Sequence, residues 1–347
     1  MSIRFLLFVL SLIFIQLAIS QDIEFSGYGA TGMVFYDREI LRDYNQETYY
    51  EGKIQAEIEF SEEIEAQLDI RGNSTDNAMN FREFSVKFKY AEKLRFKAGN
   101  IKRPFGYEQM MNRDELITVD RSVAENSLSD LGYGGRTVSI MMYYNYSDKR
   151  HEFPFSYFAS VFKDNALTTG AALRGMYYFS DDYALGASYM FQNRGGWRKM
   201  NAHGLGMDFF MQMKKISGLV ELFYVQDPVR GLQILEQEKS RAAAGLPPLN
   251  ADEFVYAAGA KMIWAIELST DGDVIKKIEP VLLVGYYQPD MAIGGRHVVQ
   301  TVLGGNFYFH KKVRARLNGD LRLTRSEFSS EYTTDESRVI LELQVRF

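Results

Sequence analysis

Four cations, Lys102, Arg103, Arg113 and Arg121, fall in one stretch from Gly99 to Gly135 that shows no regular polarity pattern. They are interleaved with Glu108, Asp114, Glu115, Asp120, Glu125 and Asp130, so acids outnumber bases there. Such a mixture performs no bond chemistry by itself, but held around a narrow aqueous passage it sorts small ions by charge. Two further basic strips lie outside the stretch: Lys87, Lys89, Arg95 and Lys97, and then Arg314, Arg316 and Arg322. Glu57, Glu59, Glu65 and Asp69 form an acidic counterpart. Opposed across a lumen, strips of unlike sign would lay a transverse field over whatever permeates.

Covalent chemistry has little support. His151, His203, His297 and His310 are scattered, with no H-E-x-x-H or Ser-His-acid spacing. The absence of cysteine removes thiolate nucleophiles, disulfides and Cys-ligated zinc. Gly195-Gly196 and Gly304-Gly305 fit no phosphate-cradling pattern and suit turns or close packing. No enzymatic step, cofactor or metal is expected. A formal net charge of −5 gives no general attraction for nucleic acid.

The elements that would hold these charges are strands. Ile54, Ala56, Ile58 and Phe60 alternate with Lys53, Gln55, Glu57 and Glu59, and after a turn Ile64, Ala66, Leu68 and Ile70 alternate with Glu65, Gln67, Asp69 and Arg71. Successive strand side chains point to opposite faces, so each segment carries one apolar and one charged side. The rhythm continues to Val339, Leu341, Leu343, Val345 and Phe347 and gives about sixteen strands, an even number as single-chain bacterial barrels require. Lys277 to Tyr287 is apolar on both faces, and its register stays open. Pro154 and Pro280 are placed near strand starts, where a lost ladder hydrogen bond costs least.

Connections sort into two sets. Ser61-Glu62, Ala91-Glu92, Ser147 to Lys149, Ser180 to Asp182, Lys214-Lys215, Thr270 to Asp273 and His310 to Lys312 read as tight turns. Asp37 to Asn45, Asn73 to Asn80, the 99–135 stretch, Pro228 to Asn250, Gln288 to Gly295 and Glu327 to Glu336 read as longer loops, with a short helix over Gly231 to Ala244. Short turns at one end and long loops at the other mark transmembrane barrels. A soluble β-sandwich also alternates, but it would not crowd Tyr and Phe at strand ends. The expected fold is all-β: a transmembrane antiparallel β-barrel of about 16 strands. The 99–135 stretch also carries Phe105, Tyr107, Met110, Met111, Leu116, Ile117, Val119, Leu128 and Leu131, apolar surface that needs burying. Packed against the inner wall, it becomes a constriction loop.

Residues 1–20 read as a secretory signal: Arg4, an apolar run, then Ala18-Ile19-Ser20 ahead of Gln21. Residues 21–347 form the barrel, and an exported barrel belongs in the bacterial outer membrane.

The segment Gly99-Asn100-Ile101-Lys102-Arg103-Pro104-Phe105-Gly106-Tyr107-Glu108 resembles the phosphate-selective porin O and P family, in which a G-x-x-K-x-P-F-G-x-E type segment leads into the constricting loop. The signal, the strand rhythm and the terminal Phe347 extend the resemblance over essentially the whole chain. The resemblance implies a homotrimeric outer-membrane porin in the lipid bilayer that passes small anions such as phosphate by passive diffusion. Lys102 and Arg103 match the family segment directly, and Arg113 and Arg121 lie in the same loop. Phe347 is similar to the signal that barrel-assembly machinery reads. The competing expectation is a barrel whose outer loops bind a surface partner and whose lumen is plugged. A third, an outer-membrane hydrolase, needs a Ser, a His and an acid converging.

Overall fold

The computed structural model describes residues 23–36, 46–74, 78–146, 153–164, 168–194, 200–247, 255–270, 272–292, 296–325, 332–333 and 337–347. The expected leader at 1–20 and His151 lie outside them. Sixteen strands make the wall: β1 (Ile23–Tyr36), β2 (Gln46–Ser61), β3 (Ile64–Asn73), β4 (Ala78–Ala91), β5 (Leu94–Lys102), β6 (Arg136–Tyr144), β7 (Phe155–Lys163), β8 (Thr168–Ser180), β9 (Tyr183–Arg194), β10 (Met200–Met213), β11 (Ile216–Gln226), β12 (Tyr256–Ile266), β13 (Lys277–Gln288), β14 (His297–His310), β15 (Val313–Arg325) and β16 (Arg338–Arg346). Each pairs antiparallel with its neighbour in sequence. β1 closes on β16 from Tyr28↔Arg346 to Tyr36↔Arg338. Beyond that register, Phe347 N–H donates to Gly27 O at 3.0 Å and Gly27 N–H returns to Phe347 O at 3.3 Å, so the last residue is stitched into the seam.

The alternation read from the sequence is realised with polarity reversed from a soluble protein. Outside, Tyr90 is 79%, Met79 78% and Phe81 74% exposed; inside, Arg316 is 0%, Glu342 1% and Asp69 2% exposed. Apolar side chains from strands all around the wall share that outer surface. A soluble monomer does not tolerate an apolar surface of that extent, whereas hydrocarbon requires it. The barrel is closed because lipid offers no partner for an unpaired strand edge.

Some connections differ from expectation. β3 ends at Asn73 and β4 starts at Ala78, so this loop is short. Conversely, β6 ends at Tyr144 and β7 starts at Phe155, and the expected tight turn at Ser147 to Lys149 lies outside the described residues. Pro154 lies just ahead of β7, but Pro280 lies inside β13, where its missing N–H breaks the ladder of its neighbour. Pairing of β12 with β13 stops at Ala265↔Val281 and resumes only at Leu268↔Ile278, leaving Ile266 and Glu267 opposite Glu279 and Pro280. The helix expected over Gly231 to Ala244 spans Pro228–Ala243, because Pro228 suits a first helical position and Asp227 Oδ1 caps Val229 N–H at 2.9 Å and Arg230 N–H at 3.0 Å.

Candidate pore constriction

The segment from Arg103 to Gly135 folds into the lumen. Gly106, with φ of 71°, turns it inward ahead of α1 (Tyr107–Met110). Asn112 and Glu115 then form a reciprocal capping box around a single 3₁₀ turn. Ser122 Oγ accepts from Glu125 N–H at 3.2 Å and starts α2 (Val123–Asp130). Gly132 and Gly135, with φ of 87° and 82°, bring the chain back to the wall.

Burial of apolar side chains seats the loop. Phe105, Ala124, Leu128, Leu131 and Tyr133 pack with Phe162, Ala172, Met190, Phe223, Val225 and Ala257 of the wall. Tyr107 and Ile117 pack onto Leu219, Ile263, Leu283 and Val302, and Val119 onto Val34 and Ile340. Lys277 to Tyr287 is therefore apolar on both faces because its inner side chains lie beneath the loop while its outer ones face lipid. β10 makes room by lacking side chains: a Cβ on Gly204 would stand 2.4 Å from the Tyr133 ring. Gly204→Val is thus expected to displace Tyr133 and to destabilise the barrel by about 1–3 kcal/mol, the usual cost of overpacking, measured by urea unfolding in detergent.

A buried loop must also satisfy its backbone, and inward polar wall residues do this. Asn318 Oδ1 accepts from Val119 N–H at 2.7 Å and Gln300 Oε1 from Val123 N–H at 2.8 Å. Gln192 Nε2 donates to Leu131 O at 3.1 Å, and Tyr133 Oη to His203 O at 3.0 Å and Gln226 O at 2.9 Å. Arg314 donates to Asp114 O at 2.6 Å, and Arg316 to Thr118 O at 2.9 Å while pairing with Glu342. Expected on the open wall, Arg314 and Arg316 lie instead beneath the loop and hold it. Arg322 pairs with Asp320 at 2.9 Å.

Strands β2 to β5 carry the other charged strips read from the sequence. Here the expected opposed strips turn out to be neighbours. Glu65 stands beside Lys87 in register, and the two form an ion pair; Glu57 lies 3.9 Å from the same ammonium. Lys97 pairs with Glu83. Adjacent strands are about 4.8 Å apart, so unlike charges on consecutive strands pair along the wall and not across the lumen. Lys89 and Arg95 face each other in register one step nearer the short turn.

Between this wall and the loop lies a narrow gap lined by Tyr28, Lys53, Asp69, Arg71, Arg82, Lys102 and Arg136 from β1 to β6, and by Met111, Asn112, Arg113 and Arg121 from the loop. The void at its centre is about 40 Å³. Four of its seven cations are held by carboxylates: Lys53 by Asp69 at 3.5 Å, Arg71 by Glu51, Arg136 by Glu83 at 3.1 Å, and Arg113 by Glu51 at 2.9 Å and Asp120 at 3.2 Å. Burial pushes the Asp120 carboxyl up, but Arg113 and Arg338 outweigh it and hold Asp120 below the usual range. The other three cations, Arg82, Lys102 and Arg121, make no ion pair with a carboxylate among the described residues. Lys102 Nζ donates to Met110 O at 2.8 Å and Met111 O at 2.9 Å, and Arg121 Nη2 to Met111 O at 2.7 Å. Carbonyls orient Lys102 and Arg121 toward the gap.

Three of the four loop cations expected from sequence, Lys102, Arg113 and Arg121, thus meet at one gap, and the fourth does not. Arg103 turns behind the loop, donating to Gly132 O, pairing with Asp164 at 3.3 Å and stacking 4.9 Å above the Phe162 ring. Strict alternation puts Arg82 on the lipid side. It reaches the lumen because the ladder slips there, pairing Asp69 with Glu83 but Ile70 with Phe81, so that Arg82 is the extra residue of a bulge. Sequence reasoning also missed Lys261, whose ammonium donates to Glu108 and pairs with Glu125 at 2.9 Å and Glu221 at 2.7 Å. Its signal was a single lysine on an inward face otherwise built from Ala257, Gly259, Ile263 and Ala265. Of the histidines, His203 Nδ1 meets Tyr189 Oη at 2.7 Å, and His310 Nδ1 accepts from Lys312 N–H at 3.2 Å.

A closed sixteen-strand wall, an apolar exterior and an inward-folded loop define an outer-membrane β-barrel. The solved structures it matches are of that kind. A loop L8 deletion mutant of OmpT, an outer membrane protein of Vibrio cholerae, superposes with a TM-score of 0.60 at 11% identity, over 94% of this chain and 100% of that one. An anion-selective porin from Comamonas acidovorans gives 0.58 at 11% identity, with 94% and 100% covered. A mutant of the Rh. blastica porin gives 0.54 at 12%, with the same coverage. At such identities the likeness carries the fold alone. No protein-family model and no curated protein matches the sequence.

Proposed function

We propose that the chain is an outer-membrane porin through which small hydrophilic solutes diffuse passively, with a preference for anions, phosphate among them, and no chemical step. The observation that carries this reading is the cluster of Arg82, Lys102 and Arg121 at the gap, three cations whose charge no neighbouring carboxylate cancels. A positive ring at a constriction lowers the barrier for anions and raises it for cations. The reading includes a homotrimer in the bilayer; OmpT of Vibrio cholerae, which shares the fold, is described in a trimer form.

The narrowness of the gap favours a second reading, a plugged barrel that acts through its outer loops. Its central void of about 40 Å³ is small beside the open lumen that a barrel of sixteen strands can leave. Planar-bilayer recording separates the two. Stepwise currents with a reversal potential on the chloride side are expected for the porin; folded protein that inserts silently supports the plug.

Phe347 is proposed as the residue that assembly machinery reads. Phe347 is 54% exposed, and a Cβ on Gly27 would stand 2.7 Å from its ring. Deleting Phe347 is expected to cut the yield of heat-modifiable barrel in membranes severalfold; an unchanged yield argues against that role.

A further inference from the structure

The cluster that ties α2 to the wall carries more negative charge than its partners cancel. Lys261 of β12 spends its three N–H groups on Glu108, Glu125 and Glu221, and all four side chains are at most 4% exposed. Three carboxylates against one ammonium would leave two net charges in a dry interior, which is costly. Glu221 also accepts the N–H groups of Tyr107 and Glu108, but Glu108 Oε1 and Glu125 Oε2 are buried without a hydrogen-bond partner. The next ion pair, Arg174 with Asp208 at 2.6 Å, is neutral in itself and lends no charge. Toward α2, β13 presents Tyr287 and β14 presents Gln300, whose amide oxygen is taken by Val123 N–H. Gln109 bonds the backbone oxygen of Glu125, not its carboxylate. A metal ion among the three carboxylates would need the position that the Lys261 ammonium already fills.

We propose that this cluster is a proton latch: a proton held on Glu125 completes the seat of the constriction loop, and its loss at rising pH loosens the loop from the wall. Burial is the main push on that carboxyl, with Glu221 and Glu108 adding to it against Lys261, and the result lies at about 7. The seated loop therefore binds a proton that a released, solvated loop would give up. Seating is strongest at and below the ordinary carboxylate range near 4.3, weakens by up to about tenfold per pH unit as pH climbs to about 7, and is flat beyond.

The latch rests on reading 103–135 as a constriction loop, but its test does not need current to flow. Ala124 is 2% exposed in the seat, and the chain has no cysteine, so Ala124→Cys gives one thiol that a charged reagent reaches only when the loop lifts. The labelling rate of A124C divided by that of A124C/E125Q, in the full barrel in liposomes, cancels the thiol's own titration. The ratio is expected to rise several-fold to tenfold per pH unit between pH 5 and 7 and then level off. Should E125Q misfold, E125A replaces it as the reference. A ratio constant across that range overturns the latch, while a silent bilayer alongside a rising ratio overturns only the porin.

Discussion

Arg82→Glu is expected to lower the anion-to-cation permeability ratio by roughly 25-fold, and Lys102→Glu with Arg121→Glu by more, both seen as a reversal potential moving toward the cation side in a salt gradient. Two unit charges 4 Å apart in water interact by about 1 kcal/mol, a factor of about five, and reversing a charge counts twice. These three cations are the informative ones because their charge is not already spent. Arg71 and Arg113 share Glu51, so reversing either also strands a buried carboxylate and mixes two effects. Arg82 is cleaner still, since it sits on a wall bulge and no side-chain bond ties it to the loop among the described residues. Arg103→Glu is the contrasting case. Its guanidinium faces Asp164 and the Phe162 ring behind the loop, so it should disturb seating while leaving the selectivity of correctly seated channels alone. Equal shifts for R103E and R82E would mean that ions do not follow the gap between the loop and β1 to β6.

The faces of the strands were legible because the strand period is two and lipid demands a strict answer on one side of each strand. Ile54, Phe84, Trp264 and Leu341 needed no three-dimensional information to be placed outside. What alternation does not encode is the neighbour across the lumen. Lys261 and Glu108 are separated by 153 positions, and Arg316 and Leu116 by 200, so the seat of the loop exists only once the barrel has closed. For the same reason Arg314 and Arg316 look, in one dimension, like Lys87 and Lys97. All four are cations on inward faces, and only the closed wall shows which of them the loop covers. The loop did carry local signals: Ser122 with Glu125 and Asn112 with Glu115 have the spacing of N-terminal caps, and both form. Arg82 could not be read by counting, because a bulge changes the count, and bulges follow from a register that both strands set together.

Lys261→Met should release the loop. Removing one partner from a buried charge cluster costs about 3–5 kcal/mol, since the remaining charges stay behind without compensation. Here three carboxylates would remain, two of them on the loop and one on the wall at side-chain exposures of 1–4%. Protonation can neutralise some of them, at the cost of taking up protons into a buried site, while Glu221 Oε1 goes on accepting the N–H groups of Tyr107 and Glu108. The apolar contacts of Phe105, Leu128 and Tyr133 oppose release, so the loop is expected to lift intermittently and not to unfold. Lifting withdraws Met111, whose carbonyl positions both Lys102 and Arg121, and the two cations lose their place at the gap. K261M channels should therefore flicker to levels of higher conductance, with the anion preference falling in the open bursts. Adding Glu108→Gln, Glu125→Gln and Glu221→Gln to Lys261→Met removes all three stranded charges and should restore steady, selective currents, because a neutral buried cluster does not need the ammonium. Steady wild-type currents from K261M alone would mean that apolar packing is sufficient to hold the loop.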